Sequence, residues 1–325
     1  MSESFRPRIG VVLEALLDRP LADVLSWLQR DVPEVTDIEV GAGGYAPHPH
    51  CDVAALLASA PSRTAWLDLI AAHGLRVGAL NAWGNPLHPD EQIARQHDAD
   101  LRNAIRLATM LGVDRVVAMA GCPAAAPGDR APHFGAGGWL PYLEDVYEQQ
   151  WEQAIAPYWA DLAAFAASEN PDLLVCLELH PGTSAFNVET FERVAGLGHS
   201  LAANLDPSHF FWMGMDGHKV AERLGRLVGH SHGKDTVFHP ESLALNGLLD
   251  RHWPKPAGQM PWNFAVPGRG HDMAWWTGLM GSLASSRVQV VSIEHEDPFV
   301  PPEVGIPEAA RLLRDSIEAA QEVAA

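Results

Sequence analysis

The sequence predicts an α/β fold, a single (β/α)8 barrel. Three observations carry this. Eight short apolar runs recur along the chain, and longer amphipathic stretches of helical period separate them. The runs are apolar on both faces, as parallel strands covered by helices must be. The chain has 325 residues, enough for one TIM barrel of about 250 residues with insertions. A doubly wound open sheet shares the alternation, but eight regular units favour closure. One domain is expected over residues 1–325, without linker, internal repeat or low-complexity tract.

The first strand is read at Arg8–Leu13 (RIGVVL) and the second at Thr36–Val40 (TDIEV), with a helix at Leu21–Gln29 between them. A helix at Val53–His73 leads to the third strand, Leu75–Leu80 (LRVGAL). Another at Glu91–Leu111 leads to the fourth, Asp114–Met119 (DRVVAM). Helix Leu143–Ser168 precedes strand five, Leu173–His180 (LLVCLELH), and helix Val188–Leu197 precedes strand six, Leu201–Asp206 (LAANLD). Helix Gly217–Leu224 precedes strand seven, Leu227–His232 (LVGHSH). Helix Met273–Ala284 precedes strand eight, Val288–Glu294 (VQVVSIE), and helix Ile306–Val323 closes the chain.

Two connections are long. Gly121–Tyr142 is rich in Gly, Pro and Ala; Asp235–His271 carries Trp253, Trp262 and Arg269. Long loops inside a compact domain are usually functional, and the tryptophans favour an ordered lid. Both loops follow strands, which places them at the C-terminal face of the barrel, where active sites sit.

Composition narrows the function. Lys plus Arg number 22 and Asp plus Glu 41, for a formal charge of −19. That argues against nucleic acid, which needs a basic surface to displace counterions, and against anionic lipid. No apolar run approaches the roughly 20 residues that span a bilayer. The start, MSESFRPRIG, lacks the apolar stretch of a signal peptide, so a cytoplasmic protein is expected. Cys51, Cys122 and Cys176 are scattered and odd in number, which reads as reduced thiols. Histidine (16) is abundant, and tryptophan (11) outnumbers tyrosine (4). Imidazoles and wide aromatic walls suit a pocket for a polar ligand.

The chemical signal lies in the last four strands. Strand five ends Glu178-Leu179-His180, strand six Asp206 followed by Pro207-Ser208-His209, strand seven His230-Ser231-His232, and strand eight Glu294-His295-Glu296. Alternate residues of a strand share a face. Glu178 and His180 therefore form one set, His230, His232 and Lys234 a second, and Ser292, Glu294 and Glu296 a third. Grouped buried carboxylates are costly unless a cation neutralises them. One acidic strand end usually means a helix cap; four in succession point to a metal. Glu178, Asp206, His232 and Glu294 offer three oxygens and one imidazole nitrogen. This set suits Mn²⁺ or Mg²⁺, with Co²⁺ or Zn²⁺ possible. His180, His209 and Lys234 are candidate substrate contacts, and Trp83, Trp212 and Trp262 candidate apolar walls. Asp235 is expected to pair with a neighbouring loop; His295 and Glu296 are expected to play supporting roles.

The phrases LELHPG, NLDPSHFFW, HSHGKDT and SIEHED resemble the xylose isomerase-like TIM-barrel family of sugar phosphate isomerases and epimerases. The resemblance runs from about Arg8 to Ala320. It implies that Glu178, Asp206, His232 and Glu294 are the metal ligands, that the two glutamates also move the proton, and that His209 contacts substrate. It implies sugar isomerisation or epimerisation by proton abstraction next to a carbonyl, through a metal-stabilised enediolate. Inosose dehydratases and lyases of 3-keto-glycosides resemble the same fold and begin with the same abstraction, so elimination stays open. Two further classes are a phosphodiesterase of the endonuclease IV kind, disfavoured by the charge, and a non-catalytic metal-binding barrel, disfavoured by the intact ligand set. The sequence departs from many relatives in one respect: no arginine follows Lys234-Asp235. Arg269 is the candidate replacement. No glycine-rich phosphate cradle is seen in the motif region, so an unphosphorylated polyol, keto sugar or oxidised glycoside suits at least as well as a sugar phosphate, and whether the substrate is phosphorylated stays open. Oligomeric state stays open.

Overall fold

Eight parallel strands close on themselves in the computed structural model, which describes residues 5–45, 47–135, 145–249, 255–256 and 258–324. The barrel strands are β1 (Arg8–Val12), β2 (Val35–Gly44), β3 (Arg76–Trp83), β4 (Arg115–Met119), β5 (Leu174–Glu178), β6 (Leu201–Leu205), β7 (Val228–Gly233) and, after an inserted pair, β10 (Val290–Ile293). Their order around the barrel is β1-β10-β7-β6-β5-β4-β3-β2, and each neighbouring pair is parallel. β5 and β6 are buried at every position, as strands covered on both faces must be.

Most of the core lies between this cylinder and the helices around it. The helix Glu91–Leu111 shows how the sequence builds that layer. Asp90 caps it by accepting from the backbone N–H groups of Gln92 and Ile93, and Gly112, at φ 72°, ends it in the left-handed conformation that costs glycine least. It buries Leu101, Ala104, Ile105, Leu107 and Ala108, one stripe at helical spacing. Each large apolar side chain buried this way contributes about 1.5–3 kcal/mol. Inside the barrel the packing divides. Ala79, Val117, Leu174, Cys176 and Ala202 form a small apolar cluster, while Glu39, His230 and Ser292 make a buried polar group joined by hydrogen bonds. Gly10 leaves room there: a Cβ on it would lie 2.7 Å from Val290 Cγ1 and 3.0 Å from Ser292 Oγ.

Several elements differ from expectation. The stretch Val53–His73 is two helices, Val53–Ala58 and Ala60–Ala71. Pro61 has no N–H to continue the first and starts the second instead, with Ser59 extended at φ −133° and capping Ser62. Such a proline belongs in a helix's first turn. β2 continues four residues beyond Val40. The helix before β5 is described from Val146 and contains a π-helical turn, Trp151–Ile155, just ahead of Pro157. Pro157 would crowd the carbonyl four residues back in a regular α-helix. The last helix starts at Pro302 rather than Ile306.

The long connection Asp235–His271 is not only a loop. It contains an antiparallel pair, β8 (Asp235–Phe238) with β9 (Trp262–Ala265), and a short helix, Pro240–Asn246. Trp253, residues 136–142 of the other long connection, and the first residues of the helix expected from Leu143 lie outside the described residues. Among the described residues, no helix is long and apolar enough to cross a membrane.

Candidate metal centre

Period-two alternation brings the strand-end residues into the barrel mouth. Glu178 ends β5, Asp206 follows β6, His232 lies on β7 and Glu294 follows β10. All four are buried, and one ligand atom from each lies within 4.8 Å of the others. His232 presents Nδ1 to this cluster, 3.3 Å from Glu294 Oε2, 3.9 Å from Glu178 Oε2 and 4.0 Å from Asp206 Oδ2. Asp206 already caps the helix Pro207–Met213 through Oδ1, which accepts from Ser208 N–H. Its other oxygen, Oδ2, is buried and makes no well-formed hydrogen bond. Three buried carboxylates and an imidazole converging on one centre fit a hard divalent cation.

Lys234, two residues beyond His232, puts a second kind of cation beside the cluster. Its side chain is 2% exposed, and Nζ lies 3.0 Å from Asp206 Oδ2, donates to Glu296 Oε2 at 2.7 Å and donates to Glu294. It also sits 4.5 Å from the centroid of the Phe264 ring. Burial works against the Lys234 charge, but Asp206, Glu294 and Glu296 outweigh it and hold the ammonium well above its ordinary pKa.

The carboxylates do not titrate alike. Burial pushes Glu178 up despite His232 and Lys234. Burial also carries Glu294 up to about 7, against the pull of Lys234 and His232. For Asp206 the burial cost is outweighed by Lys234, His209 and His232, and its carboxyl stays below the usual range. Burial lowers His209 and His180 to about 4, so both are neutral near pH 7. Two glutamates raised by burial thus sit beside an aspartate held ionised by its neighbours.

His209 Nε2 lies 2.8 Å from Glu178 Oε1, and its ring stands 4.2 Å from that of His180. His180 Nδ1 is bound to Pro181 O. Trp83 ends β3 and meets His232 edge to face at 6.0 Å. Trp212 and Trp262 stack at 4.8 Å, 9° from parallel; Trp262 then meets Phe264, and Phe264 meets His209. The tryptophans singled out in the sequence therefore lie in contact with the site or stacked toward it.

Arg269 is placed elsewhere. Its guanidinium binds Glu308 on the last helix at 2.8 Å, and the structure does not bring it to the cluster. Asp235 anchors a loop, as expected. It accepts from the backbone N–H groups of Gly268, Gly270 and His271 at 2.9–3.1 Å and pairs with His271 Nδ1 at 2.7 Å. His295 is tied to Val300 O. Cys51, Cys122 and Cys176 are free and buried.

Sequence reading missed Glu39, Glu14 and Phe264. Glu39, on β2, is fully buried, and its Oε2 accepts from His230 Nε2 at 2.8 Å. An acidic residue in the middle of a buried strand was the available signal. Glu14 lines a cavity of about 210 Å³ with Glu294, His295 and Glu296; burial and the charges of Glu294 and Glu296 raise it to about 7. Phe264 was concealed inside an assumed loop, although Trp262 and Phe264 alternate as strand residues do.

Fold and site together define a closed (β/α)8 barrel with an acidic, imidazole-bearing mouth able to hold a metal. The chain belongs to the xylose isomerase-like TIM barrel family, which it matches over residues 39–316. It is 31% identical over 314 residues to the uncharacterized protein YfiH of Bacillus subtilis (strain 168), covering 95% of this chain and 99% of that one. Among solved structures it is similar to the probable 3-DHS dehydratase AsbF of Bacillus anthracis, at TM-score 0.65 and 12% identity over 94% of this chain and 98% of that one. A D-tagatose 3-epimerase-like protein aligns at TM-score 0.64 and 15% identity (98% and 100% covered). The IolI protein, solved with a zinc atom, aligns at 0.62 and 16% (97% and 98% covered). At these identities the structural likeness speaks for the fold alone.

Proposed function

We propose that this protein is a divalent-metal-dependent sugar isomerase or epimerase acting by proton abstraction next to a carbonyl. One observation carries the reading: two glutamates, Glu178 and Glu294, face one buried centre with Asp206 and His232, from strands separated by β6 and β7. A cation held there by Glu178, Asp206, His232 and Glu294, with Mn²⁺ or Mg²⁺ favoured and Co²⁺ or Zn²⁺ able to serve, supplies Lewis-acid polarisation of the carbonyl and neutralises the charge that develops. Glu178 takes the α-proton, with His209 holding its carboxylate in place. Glu294 returns a proton from the other side or to the neighbouring carbon. His180, His209 and Lys234 orient substrate hydroxyls. Trp83, Trp212, Trp262 and Phe264 give an apolar surface for a sugar or polyol ring. Lys234 is already matched by three carboxylates, which favours a neutral, unphosphorylated substrate.

The fold shared with a probable dehydratase supports a second reading, elimination after the same abstraction. One experiment tests both. The Mn²⁺-loaded protein is incubated with keto sugars, inososes and 3-keto-glycosides in D₂O and followed by proton NMR and mass spectrometry. Metal-dependent deuterium entry beside the carbonyl supports proton abstraction; unchanged product mass, apart from deuterium, assigns an isomerase, and loss of water or aglycone a lyase. No exchange across the panel by metal-bound protein counts against both.

A further inference from the structure

We infer that Glu39 is a positioning residue that turns the Nδ1 lone pair of His232 toward the metal centre. The inference rests on reading Glu178, Asp206, His232 and Glu294 as metal ligands. His232 is fully buried, with its two nitrogens pointing to different acids. Nδ1 faces Glu294, Glu178 and Asp206, while Nε2 lies 3.4 Å from Glu39 Oε1. A neutral imidazole carries one N–H, and its position decides which nitrogen can ligate. A carboxylate accepting from Nε2–H puts the lone pair on Nδ1, where Asn204 Nδ2 approaches it at 3.1 Å and a cation among the acids would take it, the role that outer carboxylates play for metal-binding histidines.

Glu39 is itself held from two sides. Asn81 Nδ2 donates to Oε1 at 3.2 Å, and His230 Nε2 donates to Oε2 at 2.8 Å; His230 also lies 3.1 Å from Ser292 Oγ. Both carboxylate oxygens are engaged, so the group cannot rotate away from His232. Glu39 reaches β7 from β2 across the barrel interior, where β1 carries Gly10 rather than a side chain that would fill the space. Packing alone does not account for a charge at this depth. An apolar side chain of similar size would fill the same volume without the desolvation cost.

The test measures Mn²⁺ affinity by titration calorimetry on the full chain, without turnover. Glu39→Gln keeps the volume and removes the charge, and a 10–100-fold rise in Kd is expected. Asn81→Ala, which loosens Glu39 without touching His232, should raise Kd less, in the same direction. Cys176→Ala is the packing control in the same barrel interior; it lowers Tm and leaves Kd unchanged. Wild-type protein loaded with Mg²⁺ is expected to show a downfield proton resonance for His232 Nε2–H, which should shift or vanish in Glu39→Gln. Mn²⁺ binding by wild type with an unchanged Kd in Glu39→Gln overturns the inference while leaving the metal reading intact. Failure of wild type to bind Mn²⁺ overturns both.

Discussion

Lys234→Met separates the two ways the acidic cluster can be neutralised. Methionine keeps most of the aliphatic stem and deletes the ammonium, along with its contact to the Phe264 ring. In the absence of divalent ions, Asp206, Glu294 and Glu296 then lose the cation that pairs with them. Breaking a buried pair by removing one partner costs about 3–5 kcal/mol. A chain of 325 residues unfolds with an entropy of about 0.7 kcal/mol per kelvin, at about 2.1 cal/mol/K per residue. The expected drop in Tm is therefore about 4–7 °C in EDTA. Saturating Mn²⁺ restores a positive charge to the same carboxylates, so the gap between variant and wild type should shrink to less than half. Differential scanning calorimetry in the two buffers is the assay. An unchanged Tm in EDTA would refute the claim that Lys234 balances the cluster. A deficit of equal size with and without Mn²⁺ would show that the ion and the lysine do not share those carboxylates.

Glu294→Gln should lower deuterium exchange into substrate by about 10²–10⁴-fold, the usual worth of a positioned general acid or base, while circular dichroism stays native; near-normal exchange would remove Glu294 from the chemistry. Chelation of wild type should abolish exchange, and added Mn²⁺ or Mg²⁺ should restore it. Burial raises the thiols of Cys51, Cys122 and Cys176 to about 12, 11 and 12, against an ordinary value of about 8.5. Above pH 9 the unfolded thiols lose protons that the folded ones keep, so stability falls as pH rises, by about 1.4 kcal/mol per pH unit for each thiol. Urea titrations at pH 8, 9 and 10 check the slope, and native protein at pH 8 should react with no thiol reagent until it unfolds. Gly270→Ala would place a Cβ 2.1 Å from Thr236 O; the resulting backbone shift should cost about 1–3 kcal/mol and disturb the emission of Trp262.

The barrel was legible because its strands are short, apolar and regularly spaced. The cluster was legible because four successive strands end in a ligand-bearing residue, and period two fixes which neighbours share a face. Glu39 was not legible for a physical reason. Its partner His230 is 191 residues away, and only closure of the barrel brings β2 opposite β7. The β8–β9 pair was hidden in the same way: Phe238 pairs with Trp262 across a long excursion, with no two-residue turn to announce a hairpin. The break at Ser59 did have a local signal in Pro61. Arg269, the candidate for the arginine missing after Lys234-Asp235, is held away from the site by Glu308 on the last helix, a pairing with no local signal in the sequence.

The Asp235 anchorage has a consequence for how such a protein diversifies. Three backbone amides and His271 converge on one carboxylate, so the return path of the excursion is riveted beside its point of departure. Residues between 238 and 262 can then lengthen, shorten or change sequence at little entropic expense, since both ends of the segment are already joined. Trp262 and Phe264, on the pinned side, keep their place through such changes. Changes in that segment can thus reshape what approaches the barrel mouth while the aromatic surface and the acidic cluster beneath it stay in place.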